Sequence, residues 1–233
     1  MAHKLELIYF KMRALAEAPR LLFHYTNIEY EDLMSWDYYD KEWSEVKPNI
    51  PFKQLPMLVV DKKHYICQSM AIMTFVENLA GINITDPILN AKANAIMQSA
   101  QELFMPLNPI VNFAKGEKFK KKKEDLMPFL MSRFEDLEKV IKENDKKFFI
   151  LDEPRACDFV TFHHLDLSKM LDPSIIKKFR RLEKFLEDMM SIESIKSYLE
   201  NRPKLIDVSV EPKLVIDGIP HPTGVKKTKF FNS

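Results

Sequence analysis

The sequence predicts a small α/β domain followed by an all-α domain. Up to residue 80, short apolar segments of strand type alternate with helical segments, whereas only helical patterns follow residue 87. The chain has 233 residues, enough for two modest domains, and its hydrophobic fraction of 46% supports a real core. We therefore expect domains at 1–80 and 87–203, and an irregular extension at 204–233 that is draped on the surface or disordered.

The N-terminal segment predicts a strand, a helix and a second strand. The apolar run Leu5–Tyr9 predicts a buried strand, and Leu15–Tyr25 predicts a helix with Pro19 near its first turn. Proline is tolerated there because a first-turn N–H has no partner within the helix. Ile28–Leu33 predicts the second strand, and the aromatic segment Tyr39–Lys47 predicts a short irregular helix.

Two further strands and a helix complete the first domain. Met57–Val60 and His64–Cys67 predict strands joined by a turn at 61–63, and Ser69–Ala80 carries apolar residues at helical spacing. The resulting order is strand, helix, strand, irregular helix, strand, strand, helix. This is the thioredoxin-like order of elements.

The second domain is predicted to consist of long helices without convincing strands. These helices span Ile88–Ala114, Glu124–Asn144, Cys157–Leu171, Ser174–Ser191 and Ser194–Asn201. The lysine-rich run Lys118–Lys123 is predicted to be a solvated loop between the first two helices, although it could attract an anionic ligand.

Composition and charge exclude several classes of function. The net charge is +1, from 35 basic and 34 acidic residues, which argues against nucleic acid as a partner. The apolar runs are too short to predict a membrane span, and Glu6 interrupts any signal-peptide core. The cysteines Cys67 and Cys157 fit a reducing compartment and form no Cys-x-x-Cys motif, so we expect a cytoplasmic protein without dithiol chemistry.

Three short segments together describe one binding site. They are Tyr9-Phe10 at the end of the first strand, Gln54-Leu55-Pro56 before the third strand, and Gln68-Ser69 before a helix. This pattern describes a site built mainly from backbone groups that holds a small anionic peptide beside a phenol. The combination resembles the cytosolic glutathione transferases, and among them the sigma class, over 4–203. The resemblance implies the glutathione transferase fold, a homodimer, and reduced glutathione as co-substrate.

Tyr9 is the predicted catalytic residue. A free thiol has a pKa of ~8.5, so only a few per cent is ionised at pH 7. Lowering that pKa by roughly two units requires ~2.7 kcal/mol, and one hydrogen bond to a charged acceptor supplies about 1.5–3 kcal/mol. Tyr9 matches the tyrosine that the family uses for this purpose. The alternative is a half-buried aromatic residue that packs on the first helix.

The glutathione backbone is expected to bind to five residues of the two motifs. Pro56 matches the cis-proline of the family, which would leave the backbone groups of Leu55 free to pair with the peptide. Ser69 and Gln68 match the residues that hold the γ-glutamyl carboxylate at a helix N-terminus, and Gln54 belongs to the same motif. The alternatives are an ordinary strand-initiating proline and a serine that serves only as a helix N-cap.

Three further residues match positions that bind the ends of glutathione. Trp43 and Lys47 match the residues that hold the glycyl carboxylate, although a packed tryptophan and a solvated lysine are equally consistent with their spacing. Glu102 is the candidate for contact with the γ-glutamyl ammonium across the subunit interface, with Gln101 beside it. Because glutamines replace most of the family's acidic cluster here, no metal is expected. The adjacent histidines 163 and 164 are interpreted as structural, since no third ligand has fitting spacing.

Five residues are predicted to line the pocket for a small hydrophobic electrophile, although a residue of each of these types is more often simple core. They are Phe10, Met12, Leu15, Met105 and Ile110.

The chain departs from the family pattern at several positions. Lys53 replaces a glycine, Ala14-Leu15 replaces Gly-Arg, and Pro109 stands near the lid tryptophan of vertebrate prostaglandin D synthases. In the second domain Arg155 replaces a hydroxyl N-cap, and Asp152 is the candidate cap of a slightly earlier helix start.

The sequence therefore predicts a glutathione transferase that joins the glutathione thiolate to small hydrophobic electrophiles. A glutathione-dependent isomerase, of prostaglandin or unsaturated-carbonyl type, would use the same residues around the thiol. A third possibility is a binding or structural protein that keeps the fold with little or no turnover.

Overall fold

The N-terminal half of the chain forms a four-stranded mixed sheet. The computed structural model describes residues 3–114 and 116–202, together with two short strands in the C-terminal extension. The sheet contains β1 (Leu5–Tyr9), β2 (Glu31–Met34), β3 (Met57–Val60) and β4 (His64–Cys67), in the order β2-β1-β3-β4. β1 runs parallel to β2 and antiparallel to β3, which is antiparallel to β4. β1 is therefore an inner strand, which explains why all five of its residues are buried.

Helices of this half connect the strands in the thioredoxin-like order that the sequence predicts. They are α1 (Glu17–Thr26), α2 (Ser35–Tyr39), α3 (Trp43–Val46) and α4 (Ser69–Ala80), with a 3₁₀ turn at Ala14–Ala16 before α1. Asn27 follows α1 and Gly81 follows α4, both in the left-handed conformation that favours helix termination.

The C-terminal half is helical between residues 87 and 201. Its helices are α5 (Pro87–Gln101), α6 (Phe104–Phe113), α7 (Gly116–Glu143), α8 (Ala156–Leu171), α9 (Pro173–Ile176), α10 (Arg180–Met190) and α11 (Glu193–Asn201). A thioredoxin-like domain followed by a helical domain confirms the predicted fold class. The domain limits at 80, 87 and 203 stay predictions.

Two of the long predicted helices are wrong because each is divided in two. The helix predicted at Ile88–Ala114 is broken at residues 102–103, between α5 and α6. Pro106 explains the break, because a proline lacks an N–H and its ring clashes with the carbonyl four residues earlier. The helix predicted at Ser174–Ser191 is divided into α9 and α10 around 177–179.

The lysine-rich run Lys118–Lys123 is helical, so its prediction as a loop is wrong. α7 begins at Gly116, eight residues before the predicted start at Glu124. Lysine is a good helix former, and Phe119 is buried within the run, two helical turns before buried Leu126. The apolar face of α7 therefore begins inside the lysine run.

A buried polar network joins the two halves. Glu17 of α1 accepts hydrogen bonds from the Tyr198 hydroxyl at 3.2 Å and from Arg202 Nη1 at 2.9 Å. Arg20, fully buried one turn after Glu17, pairs with Asp32 of β2 at 2.8 Å. Because a buried charge is costly unless it is paired, this network fixes α11 against α1.

The start of α8 is capped by carboxylates rather than by a hydroxyl. Asp158 accepts the Phe149 and Arg155 backbone N–H groups at 2.9 and 2.8 Å, and Glu77 of α4 accepts the Ala156 N–H at 2.6 Å. Asp152 instead binds the backbone and side chain of the 146–147 segment, so its prediction as a cap is wrong. Glu77 therefore replaces the missing hydroxyl cap from the other half of the chain.

The predicted C-terminal extension falls largely outside the described residues. Within it, β5 (Val215–Ile216) and β6 (Ile219–Pro220) form an antiparallel pair. In the part of the chain that the structure describes, no helix combines the length and the apolar character needed to span a bilayer.

Candidate functional site

Tyr9 lies at the end of β1 with its hydroxyl held by the backbone. Its side chain is only 3% exposed, and its hydroxyl oxygen accepts a hydrogen bond from the Leu15 N–H at 3.2 Å. Burial raises the pKa of Tyr9 to about 12, although the Leu15 N–H and the nearby Arg20 guanidinium act in the opposite direction. Tyr9 therefore keeps its proton at neutral pH and can donate it in a hydrogen bond.

The loop between β1 and α1 places the Leu15 N–H beside Tyr9. Arg20 Nη1 donates to the Met12 carbonyl at 3.1 Å, and the Arg13 carbonyl accepts the N–H groups of residues 16 and 17. Ala14 adopts φ 33°, in the left-handed region that favours glycine. The loop is thus held at several points around a left-handed residue.

The Gln54-Leu55-Pro56 segment leads directly into β3. The Leu55–Pro56 peptide bond is cis, and both residues are buried. Two residues before Leu55, Lys53 adopts φ 53°, in the left-handed region that favours glycine. A lysine can therefore occupy this position, at a conformational cost of about 1–2 kcal/mol.

The second motif forms the N-terminus of α4. Ser69 is the first helical residue and is buried, whereas Gln68 occupies the N-cap position with φ 74°. The alternative of Ser69 as an N-cap is therefore wrong. The Gln68 side-chain amide donates to Gln54 Oε1 at 3.2 Å, so the two predicted motifs meet in space. The free N–H groups of the first helical turn and the helix dipole favour an anion here.

An aromatic row runs from Tyr9 toward α3. The rings of Tyr9 and Phe10 are 5.3 Å apart, and Phe10 meets Trp43 edge-to-face at 5.2 Å. Trp43 is the first residue of α3 and is half-buried, and Lys47 follows one turn later and is exposed. Trp43 and Lys47 are therefore on one side of a short helix that is linked to Tyr9 through Phe10.

Glu102 and Gln101 lie at the end of α5. Glu102 is exposed and pairs with Arg133 of α7 at 3.6 Å. Gln101 is half-buried, and its side-chain oxygen lies 3.2 Å from Nε2 of His164 on α8. Of the two, only Glu102 has a solvent-facing carboxylate that a second subunit could reach. Among the described residues, no group of three or more His, Cys, Asp or Glu side chains is arranged to hold a metal ion.

The predicted pocket residues differ in exposure. Phe10 and Leu15 are half-buried beside Tyr9, whereas Met12 and Ile110 are buried in the hydrophobic core. Met105 is 73% exposed at the start of α6, which packs against the Ala14–Ala16 turn. Phe10, Leu15 and Met105 are thus the members of this set with surface available to a second substrate.

Sequence reasoning missed Arg20, Glu77 and the Leu15 N–H. Arg20 lies with its guanidinium carbon 6.0 Å from the centre of the Tyr9 ring. The signal for Arg20 was a pair of opposite charges, Glu17 and Arg20, at helical spacing in an otherwise apolar segment. Glu77 was missed because its partner Ala156 lies 79 residues away in the sequence. The Leu15 N–H was missed because a backbone group gives no sequence pattern.

Both halves of the chain match models of a single family. Residues 5–78 match the glutathione S-transferase N-terminal domain, and residues 102–202 match the glutathione S-transferase C-terminal domain. Together the two matches cover more than half of the chain. The chain belongs to the glutathione S-transferase family.

Individual relatives support the same assignment. Glutathione S-transferase 1 of Ascaris suum is 28% identical over 203 residues, 85% of this chain and 97% of that protein. The hematopoietic prostaglandin D synthase of Gallus gallus is 29% identical over 199 residues, 85% of this chain and 96% of that protein. The crystal structure of monomeric Na-GST-3, a glutathione S-transferase of Necator americanus, has a TM-score of 0.75 at 26% identity and covers 86% of this chain and 98% of that one. The chain is thus a glutathione transferase, and glutathione is the co-substrate of its family.

Proposed function

We propose that this protein joins the thiolate of reduced glutathione to small hydrophobic electrophiles, with Tyr9 as the group that stabilises the thiolate. The observation that carries the proposal is the state of the Tyr9 hydroxyl. Its oxygen accepts the Leu15 N–H, and burial keeps it protonated. Its own proton is therefore free to be donated to a sulfur placed beside it.

The energy required is within the range of one such hydrogen bond. Lowering a thiol pKa by roughly two units requires ~2.7 kcal/mol, and a hydrogen bond to a charged acceptor contributes about 1.5–3 kcal/mol. The Leu15 N–H also polarises the phenol, because hydrogen bonds in a chain strengthen one another. The thiolate then attacks the electrophilic carbon, and the protein contributes positioning and thiol activation.

Glutathione is held at both ends in this proposal. The N-terminus of α4, with Ser69 and Gln68, binds the γ-glutamyl carboxylate, and the backbone of Leu55 pairs with the cysteinyl residue. Trp43 and Lys47 bind the glycyl carboxylate. The bond between Gln68 and Gln54 supports the arrangement, because it joins the two binding segments.

The electrophile is expected to lie against Phe10, Leu15 and Met105, with Met12 and Ile110 behind them. Leu15, the residue whose N–H reaches Tyr9, has an apolar and half-buried side chain. Apolar walls next to the thiolate favour small hydrophobic substrates over charged ones.

A glutathione-affinity column followed by a conjugation assay tests the proposal. The proposal predicts retention on immobilised glutathione and measurable conjugation of a generic aryl halide. Retention without turnover of any electrophile would favour the catalytically weak binding protein. Failure to bind glutathione would overturn the proposal.

A glutathione-dependent isomerase is the second candidate, favoured by the similarity to the Gallus gallus prostaglandin D synthase. It would use the same thiolate. Product analysis after incubation with an endoperoxide or an unsaturated carbonyl compound, in the presence of glutathione, distinguishes the two. An isomerised product from which glutathione has been released supports the isomerase, and a stable adduct supports the transferase.

We further propose a sigma-type, cytoplasmic detoxification enzyme that forms a homodimer. Phe52 is 72% exposed at the loop before β3 and offers an aromatic knob. A groove of about 460 Å³ lies between α5 and α7, with an apolar lining that includes Leu89, Ile96, Leu137 and Val140. In a two-fold dimer, the knob of each subunit would enter the groove of the other. Glu102, at the end of α5, would then face the neighbouring active site.

Light scattering on the purified protein tests the dimer. Phe52→Ser should shift the protein toward monomer, while Tyr65→Ser, which removes another ring that is 55% exposed, should not. A wild-type protein that is monomeric in solution, as the Necator americanus relative is, would overturn this part of the proposal.

A further inference from the structure

One face of α8 packs against the loop that carries the Leu15 N–H. Asp166 of α8 pairs with Arg13 Nη1 at 3.7 Å, which fixes the loop against the helix. His163 lies three residues before Asp166 and therefore on the same face of α8. The His163 ring is 2% exposed and is directed to the residue after Arg13, whose backbone carbonyl it meets.

The protonation state of His163 decides whether it can donate a hydrogen bond to Ala14. Burial lowers the pKa of His163 to about 3, and the neighbouring Arg13 acts in the same direction. The imidazole is therefore neutral and carries one N–H. Its Nε2 has no hydrogen-bond partner within the described residues, so we assign Nδ1 as the nitrogen on the side of the Ala14 carbonyl.

The same peptide group faces Tyr9 on its other side. The Ala14 carbonyl and the Leu15 N–H belong to one peptide unit, and that N–H donates to the Tyr9 hydroxyl at 3.2 Å. A bond to the carbonyl polarises the N–H of the same unit, so the three groups form a chain from α8 to the phenol. Ala14 has φ 33°, a conformation that a non-glycine residue keeps only when its surroundings hold it.

We propose that His163 is a positioning residue, which holds the Ala14–Leu15 peptide group so that its N–H is directed at the Tyr9 hydroxyl. The proposal rests on the proposed role of Tyr9 in stabilising the thiolate. Without the imidazole, the peptide group can rotate away, and the phenol loses the donor that polarises it. The expected consequence is a higher pKa for the bound glutathione thiol, with little change in how tightly the rest of glutathione is held.

The test is an ultraviolet titration of the thiol of glutathione bound to the full-length protein, on wild type and three variants. His163→Leu removes the donor, and His163→Asn keeps an N–H close to the position of Nδ1. His164→Leu is the matched control, because His164 is equally buried on the same helix but faces Gln101. Circular dichroism and the thermal midpoint of each variant report folding, and glutathione affinity is measured in parallel.

The proposal predicts that His163→Leu raises the pKa of the bound thiol by roughly 0.5 to 1 relative to wild type. His163→Asn should restore most of the wild-type value, and His164→Leu should leave it unchanged. An unchanged thiol pKa in a folded His163→Leu protein overturns the positioning role and leaves that of Tyr9 intact. Equal rises in His163→Leu and His164→Leu also overturn it, because they indicate general loosening of α8.

If His163→Leu does not fold, His163→Asn and His163→Gln decide the question. Glutamine carries its N–H near the position of Nε2 rather than Nδ1, so His163→Gln should raise the thiol pKa relative to His163→Asn, and equal values for the two variants overturn the positioning role. A wild-type thiol pKa equal to that of free glutathione would overturn both this inference and the proposed role of Tyr9.

Discussion

Replacing Tyr9 by phenylalanine removes one oxygen atom and leaves the aromatic ring that packs against Phe10. The lost group is the donor that we assign to the thiolate, and such a bond contributes about 1.5–3 kcal/mol. That energy corresponds to a rise of roughly 1 to 2 in the pKa of the bound thiol. Because ionisation is the affected step, the loss of activity must depend on pH.

The size of the effect follows from the ionised fraction. If the wild-type thiol titrates near pH ~6.5 and the variant near ~8.5, the thiolate fraction at pH 6.5 falls from about one half to about one hundredth. We therefore expect kcat/KM of Tyr9→Phe to be lower by roughly 50-fold at pH 6.5, and by less than about two-fold at pH 9. Glutathione affinity should change little, since the carboxylate contacts remain.

The assay is the pH profile of kcat/KM for conjugation of an aryl halide, measured for wild type and Tyr9→Phe. Tyr30→Phe is the matched control, because it also removes a hydroxyl from a tyrosine of the same domain, which is half-buried and stacks on Phe23 at 4.3 Å. A Tyr9→Phe deficit that is the same at every pH would refute the reasoning, because it would show that the phenol acts on something other than ionisation. An unchanged rate at all pH values would show that the thiol is activated elsewhere.

Three further predictions concern binding and stability. Ser69→Ala should weaken glutathione binding by roughly 2- to 13-fold with little change in kcat, as measured by calorimetry. Thr74→Ala removes an exposed hydroxyl of the same helix that bonds only to the Met70 carbonyl, and serves as control; equal affinities for the two variants would contradict the role of Ser69. Glu77→Ala should lower the free energy of unfolding by about 1–2 kcal/mol, since the Ala156 N–H loses its cap. Its neighbour Asn78→Ala should lie within about 0.5 kcal/mol of wild type, and a similar loss in both would count against the cap. Asp158→Asn should flatten the pH dependence of stability, because burial raises the pKa of Asp158 from 3.8 to about 6. A raised carboxyl pKa gives stability that is present below the unfolded-state value and lost as pH rises through the folded-state value. Denaturant titrations should therefore show the advantage of wild type over Asp158→Asn shrinking by up to about 3 kcal/mol between pH 4 and pH 6, and a growing advantage would contradict the sign.

Local sequence patterns predicted the bounds of an element correctly where turn residues or a glycine mark its ends. The strands β1, β3 and β4 and the helix α4 have the predicted bounds, since a turn or Gly81 limits each of them. The fold class followed from the order of these elements. The breaks within the second domain were missed because helical periodicity continues across residues 102–103, whereas the effect of Pro106 on a carbonyl four residues earlier depends on geometry.

The candidate site was predictable in its residue types and less so in its connections. Gln54 and Gln68 were assigned to one site, and their side chains do meet. The hydrogen bond from the Leu15 N–H to the Tyr9 hydroxyl was not predicted, because every residue except proline carries the same backbone N–H. The Glu77 contact with Ala156 spans 79 positions along the chain. A contact of that kind is set by how α4 packs on α8, which periodicity within either helix does not encode.

Spectroscopic titration of the sulfur in the glutathione complex of the wild-type protein tests the central claim most directly. The account predicts that the bound thiol ionises with a pKa roughly 1 to 2 below the free value of ~8.5. A bound thiol that titrates with the same pKa as free glutathione would contradict it.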